Sequence, residues 1–178
     1  MSYFSQFEKG FYDMKGDGNE KLVTDLMTRV KVRTGVVNEL SLYDLYDVPA
    51  GDTPEDVAFY HFGDAQLHFV ILLTNNITDV YHEWPMDDIT FEKYVNDKYA
   101  NPDAIHHYEK TVSSGQTTQR GTNDYTHVFE VNSTEPGAVS VSNYQYELRL
   151  QDKRRQIKLL SNDFLNAFLE EFSTLVSA

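Results

Sequence analysis

No cysteine occurs in this chain of 178 residues. Disulfides, thiolate metal sites and cysteine nucleophiles are excluded together. Long apolar runs are missing too. The longest, Phe69 to Leu73, has five residues, where a membrane-crossing helix needs about 20. The first ten residues, MSYFSQFEKG, lack the basic start and apolar stretch of a signal peptide, so export by that route is not expected. Basic residues are scarce: 15 Lys and Arg stand against 28 Asp and Glu, for a net charge of −13. Such a surface repels nucleic-acid phosphates. Catalytic signatures are also absent, with no GxSxG, P-loop, GxGxxG or HExxH. The GDGNE stretch at 16–20 has no strand-to-helix context for phosphate, and it lacks the acidic ladder of a calcium loop. Among 28 acids some carboxylate pair always lies close by chance, so the sequence supports no enzyme.

What is present is aromatic and polarised. Twelve Tyr, eleven Phe and one Trp suit core packing and protein contacts alike. From Thr34 to Glu92 there are 12 acids and no Lys or Arg, whereas Arg149, Lys153, Arg154, Arg155 and Lys158 crowd around the single acid Asp152. Such sorting fits solvated faces, or patches that meet complementary neighbours.

Local signals give an α+β chain. Met1 to Asn19 reads as an aromatic arm. Leu22, Val23, Leu26, Met27 and Val30 predict a short helix, although Val30 and Val32 also fit a strand. Leu40 to Val48 predicts a strand entering the turn Pro49 to Asp52. Thr53 caps a helix with Pro54 in its first turn and Gly63 at its stop, and Asp64 caps a second, all-round apolar helix ending at Asn75 and Asn76. Ile77 to Pro85, with Trp84, reads as a closing strand or extended exit. Asp87 or Asp88 caps a further helix that carries Phe91, Tyr94 and Val95. Ile105 to Val112 and Tyr125 to Val131 read as paired strands around an apolar-free, mobile loop, Ser113 to Asp124. Tyr144 to Leu150 fits strand or helix equally. Ser161 caps a last helix whose stripe of Phe164, Leu165, Phe168, Leu169, Phe172, Leu175 and Val176 must dock, and a partner protein is the favoured dock.

Metal chemistry finds little support. On a strand His106 and His107 point to opposite faces. His61 and His68 are separated by the Gly63 break, and His82, Glu83, Asp87 and Asp88 suit a cap as well as a cluster. No cofactor is expected.

Val48 to Asn75, VPAGDTPEDVAFYHFGDAQLHFVILLTN, resembles a LysM module. That resemblance implies a βααβ fold and a groove, for a glycan or a partner, built from Asp52, Thr53, Pro54, Asn75, Asn76 and Ile77. The longer run SLYDLYDVPAGDTPEDVAFYHFGDAQLHFVILLTNNITDVYHEWP, followed by FEKYVNDKY, NPDAIHHYE and KRRQIKLL, is similar to the small LysM-bearing baseplate wedge proteins of T4-like contractile-tailed phages. It implies a noncatalytic virion subunit of the tail baseplate, assembled in the host bacterial cytoplasm. Such a subunit contacts larger wedge proteins and helps join neighbouring wedges around the hub. The implied organisation is an N-terminal arm with a short helix (1–39), a LysM-like module (40–86), a helix with a β-rich connecting region including a hairpin (87–160), and a C-terminal amphipathic docking helix (161–178). Arg149, Lys153, Arg154, Arg155, Lys158, Phe164, Phe168 and Phe172 are the candidate partner interface. The alternative is a LysM-type module binding peptidoglycan or GlcNAc chains. It is disfavoured because export signal, repeated modules and attached hydrolase are all lacking. No membrane or nucleic-acid partner is expected.

Overall fold

The computed structural model describes residues 3–113 and 127–177. The chain forms two compact units, Met1–Pro85 with Arg154–Ala178, and Met86–Lys153. All but the first residue of the expected mobile loop, Ser113 to Asp124, lies outside the described residues.

The first unit begins with a 3-10 turn, Tyr3–Gln6, then β1 (Lys9–Tyr12) and β2 (Lys21–Thr24), paired antiparallel with Phe11 opposite Leu22. The Asp13 carboxylate accepts backbone N–H groups from Lys15, Gly16, Asp17 and Gly18 at 2.7 to 3.3 Å. These bonds, the Gly18 one foremost, hold its carboxyl below the ordinary aspartate range. This organised turn decides against the helix expected over Leu22 to Val30. Leu22 and Val23 join the hairpin instead, and Leu26 and Met27 are exposed. A single turn of helix, α1 (Thr34–Val37), follows.

β3 (Tyr43–Asp47) leads into the turn at Gly51, whose φ of +92° requires the left-handed freedom of glycine. α2 (Pro54–Phe62) starts with a capping box in which Thr53 and Asp56 exchange side-chain and backbone bonds, and it stops at Gly63, φ 78°. Asp64 accepts the Gln66 N–H at 2.9 Å, and α3 (His68–Thr74) follows with Phe69, Val70, Ile71 and Thr74 buried. Burial on so many sides is explained by two cores. Phe69 and Val70 belong to one with Phe7, Tyr43, Leu160 and Phe172, while Ile71 belongs to another with Val48, Val57, Trp84, Ile157 and Leu159.

The expected closing strand over Ile77 to Pro85 is not one. Glu83 accepts the Thr78 and Asp79 N–H groups at 2.6 and 2.9 Å, and Asp79 accepts that of Tyr81 at 3.0 Å, which coils the segment into α4 (Val80–Glu83). The partner of β3 comes instead from far along the chain. β7 (Gln156–Leu160) runs antiparallel to it with Tyr43 opposite Leu160 and Asp47 opposite Gln156. The other edge of β7 is finished by a side chain, since Asn75 Oδ1 accepts the Lys158 N–H and Asn75 Nδ2 donates to the Lys158 carbonyl, both at 2.8 Å.

α7 (Asn162–Val176) docks on this same unit. The expectation of a partner as its dock is corrected: Phe172 and Val176 are buried in the Phe69 core, with Leu165, Phe168 and Leu169 packed around it. Part of the aromatic arm closes the same core, with the Tyr3 ring 5.2 Å from Phe69 and 5.7 Å from Phe172. The stripe and the arm satisfy each other, so the helix needs no outside partner to leave water. Ser161 stands at the cap position without a side-chain bond. Asn162 Nδ2 there donates to the His61 carbonyl at 3.1 Å.

The second unit holds α5 (Asp88–Lys98), capped by Asp87, and a three-stranded antiparallel sheet of order β5-β4-β6, with β4 (Ile105–Val112), β5 (His127–Val131) and β6 (Val139–Ser142). The ambiguous stretch Tyr144 to Leu150 is helical, inside α6 (Asn143–Arg155). Reciprocal bonds between Ser142 and Gln145 start the helix, and Glu147 and Gln151, one helical turn apart, are its buried side. Glu147 accepts from Lys98 Nζ and Tyr99 Oη, both at 2.8 Å, and Gln151 donates to the Met86 carbonyl at 3.0 Å. The Glu147 carboxylate and its hydrogen bonds raise the Lys98 ammonium above its ordinary value.

Candidate interaction surfaces

The residues of the expected groove have structural partners. Thr53 is engaged with Asp56, whose carboxyl is held below the ordinary range chiefly by the Thr53 hydroxyl. Pro54 is buried at the helix start. The Asp52 carbonyl accepts the Trp84 indole N–H at 2.8 Å. At the other side, Asn75 is clamped on β7, Asn76 turns the chain with φ 54°, and Ile77 packs on the Trp84 core. A cleft of about 870 Å³ takes in Asn76 and Ile77 but none of Asp52, Thr53 or Pro54. Its floor is apolar, with Phe69, Leu72, Leu73 and Val30, and its polar lining includes Arg29, Lys31 and His68.

The basic run does not act as one free strip. Arg149 bonds Glu109 at 2.6 Å, and that guanidinium is the main reason the Glu109 carboxyl sits below its ordinary range. Lys158 Nζ donates to the Val37 carbonyl at 2.7 Å and lies over the Tyr43 ring. Arg154 and Arg155 are half-buried, and Lys153 is exposed. On α7, Phe164 is exposed, Phe168 is half-buried and Phe172 is fully interior, so Phe172 is not available to a partner.

The histidines differ from expectation. Strand alternation does not separate His106 from His107, because the β4–β6 ladder shifts register between Ile105 and His107. The two Nδ1 atoms come within 2.8 Å, His106 stacks on Tyr146 at 4.0 Å, and His107 Nε2 meets Glu109 at 2.9 Å. His82 lies on Asp79 at 2.6 Å while Glu83 and Asp87 cap backbone N–H groups, so that cluster is a set of caps. Among the described residues no group of three or more metal-ligating side chains forms, and no helix is long and apolar enough to cross a membrane.

Two features escaped the sequence reading. One is the cationic mouth of the cleft, Arg29 and Lys31. The other is the outer face of α2, where Phe59 and Tyr60 are 58% and 71% exposed beside the exposed Glu55 and Asp56. The abrupt end of basic residues after Arg33 was the available signal for the first. A helix with capping acids and two aromatics off the Val57 and Ala58 face was the signal for the second.

No curated protein matches the chain. Residues 36–108 match the family model described as base plate wedge protein 53, a span that runs from α1 through β3, α2, α3, α4 and α5 into β4. Over that stretch, about two fifths of its length, the chain carries the family signature of a phage baseplate wedge protein, which supports a structural role in the tail of a phage virion.

Proposed function

We propose that the chain is a noncatalytic structural subunit of the baseplate wedge of a contractile-tailed phage. It is assembled in the host cytoplasm, contacts the larger wedge proteins and helps join neighbouring wedges around the hub. The family match at residues 36–108 carries this reading, because it draws on residues of both compact units and not on a LysM-like segment alone. β3, α2, α3 and β7 support a LysM-like βααβ arrangement in which the second unit is inserted before the final strand.

The groove residues favour a scaffold over a glycan site. Thr53, Asn75 and the Asp52 carbonyl make bonds within the chain that a sugar would have to replace. Outward-facing Lys153 and Phe164 are the members of the expected interface best placed to meet a neighbour. The test is co-purification of the full chain with wedge components, followed by reconstruction of the intact tail. Density for both units within each wedge is the expected result. A particle that lacks the chain, or micromolar binding of a GlcNAc oligomer lost on Thr53→Ala and Asn75→Ala, overturns the reading.

A further inference from the structure

Two surfaces of the first unit are complementary to each other. The cleft joins an apolar floor, Phe69, Leu72 and Leu73, to a cationic mouth, Arg29 and Lys31. Both cations are exposed, and neither enters a salt bridge with a described residue. His68 lines the same cleft, with its Nδ1 facing the Ala65 carbonyl at 3.0 Å. At about 870 Å³ the space lies within the range of about 300 to 1,000 Å³ typical of ligand clefts.

The outer face of α2 offers the reverse composition. Glu55 and Phe59 share one helical row and Asp56 and Tyr60 the next, so two carboxylates stand beside two exposed aromatic rings that pack edge-to-face at 6.1 Å. No residue of α2 lines the cleft, so the two surfaces do not overlap. In a chain of net charge −13, an exposed cationic pair over an apolar floor is the place where an acidic, aromatic face is attracted rather than repelled.

We propose that the cleft receives the α2 face of a second copy of this chain. The aromatic pair fills the apolar floor while Glu55 meets Arg29 and Lys31. Because the two patches differ, the contact is head-to-tail, and each dimer keeps one cleft and one α2 face open for further neighbours, which yields a ring or a row. The proposal rests on these two surfaces and stands apart from the wedge reading.

The test is sedimentation equilibrium of the full chain across concentration and salt. Wild-type protein should show a mass that rises with concentration, with an association constant about tenfold lower at 0.5 M salt than at 0.05 M. The double variant Arg29→Glu/Lys31→Glu and, separately, Glu55→Lys should each sediment as monomers. An equimolar mixture of the two should recover dimers, since the first retains a native α2 face and the second a native cleft. Phe59→Ala, which leaves the charges alone, should weaken association at high salt as well as low. Thermal melting of each variant checks that the unit is folded. A wild-type monomer at all concentrations overturns the proposal, as does association indifferent to the charge reversals or a mixture that stays monomeric. Co-purification with wedge components is a separate readout, so loss of self-association and loss of the wedge role are distinguishable.

Discussion

Replacing Phe172 by alanine tests the docking of α7 on its own unit. Phe172 is 2% exposed, and its ring lies 5.1 Å from Phe69, 5.7 Å from Tyr3 and 6.3 Å from Phe7. A buried phenylalanine removes about 150 to 250 Å² from water, which at about 25 cal/mol per Å² sets a ceiling of about 4 to 6 kcal/mol. Retention of the alanine methyl and partial collapse of the cavity bring the expected loss to about 3 to 5 kcal/mol. Against a domain stability of about 5 to 15 kcal/mol this is about a fifth or more of the total. Urea unfolding followed by the fluorescence of Trp84, the single tryptophan and a buried member of the same unit, isolates the relevant transition. With a slope of about 2 kcal/mol per M, the midpoint should fall by about 1.5 to 2.5 M. Phe164→Ala on the same stripe is the control. Its side chain is 42% exposed, and its loss should cost less than about 1 kcal/mol. Equal, small effects at both positions would refute intramolecular docking and restore a partner as the dock.

Asn75→Ala removes the pair of bonds to the Lys158 backbone and leaves that edge of β7 unsatisfied, so the Trp84 transition should lose about 1 to 3 kcal/mol. Glu147→Gln should destabilise the second unit by a similar amount, about 1 to 3 kcal/mol, read by hydrogen exchange of α5 and α6, because the buried carboxylate joins Lys98 to Tyr99. The Lys98 side chain is 43% exposed, so its ammonium can return to water, which keeps the cost from being larger. The Asp56 carboxyl is held below the ordinary aspartate range, so its capping contribution is present above the unfolded value, near about 3.9, and is lost as pH falls through the lower folded value. Asp56→Asn should therefore lower the melting temperature at pH 7, by a difference from the wild type that shrinks as pH falls through the folded Asp56 value.

The parts legible in the sequence are those whose physics is local. Thr53, Pro54 and Gly63 bracket α2 because a cap, a missing N–H and a left-handed turn act within a few residues, and Asp87 brackets α5 for the same reason. Most of the misreadings involve contacts made away from the segment itself; the exception is Ile77 to Pro85, where the Asp79 and Glu83 caps that coil the chain are local. A helical pattern over Leu22 to Val30 is real, but the turn around Asp13 and the pairing with β1 outweigh it. The stripe on α7 correctly announced a docking helix, yet periodicity carries no information about which apolar surface receives it. The His106 and His107 pair was misplaced because a register shift on β4 has no signature in the two residues themselves. Of the groove residues, types and turn positions were legible, but their bonding partners, such as the Lys158 backbone for Asn75, come from the far end of the chain.

That distance bears on what the family signature can mean physically. Residues 36–108 contain β3, α2 and α3, but not β7, which pairs with β3 from more than 100 residues away, nor Ile157 and Leu159, which fill the Trp84 core, nor Phe172, which fills the other. The matched segment therefore does not coincide with a cooperative unit, and the first unit reaches its full core only when residues after 154 return to it. Closing so long a loop costs entropy that grows only as the logarithm of its length, and the apolar side chains of β7 and α7 offset it. The constraint on such a chain falls on both ends of the closure. The acidic, cap-rich segment must present β3 and α3, and the terminal segment must supply the strand and aromatic helix that cover them.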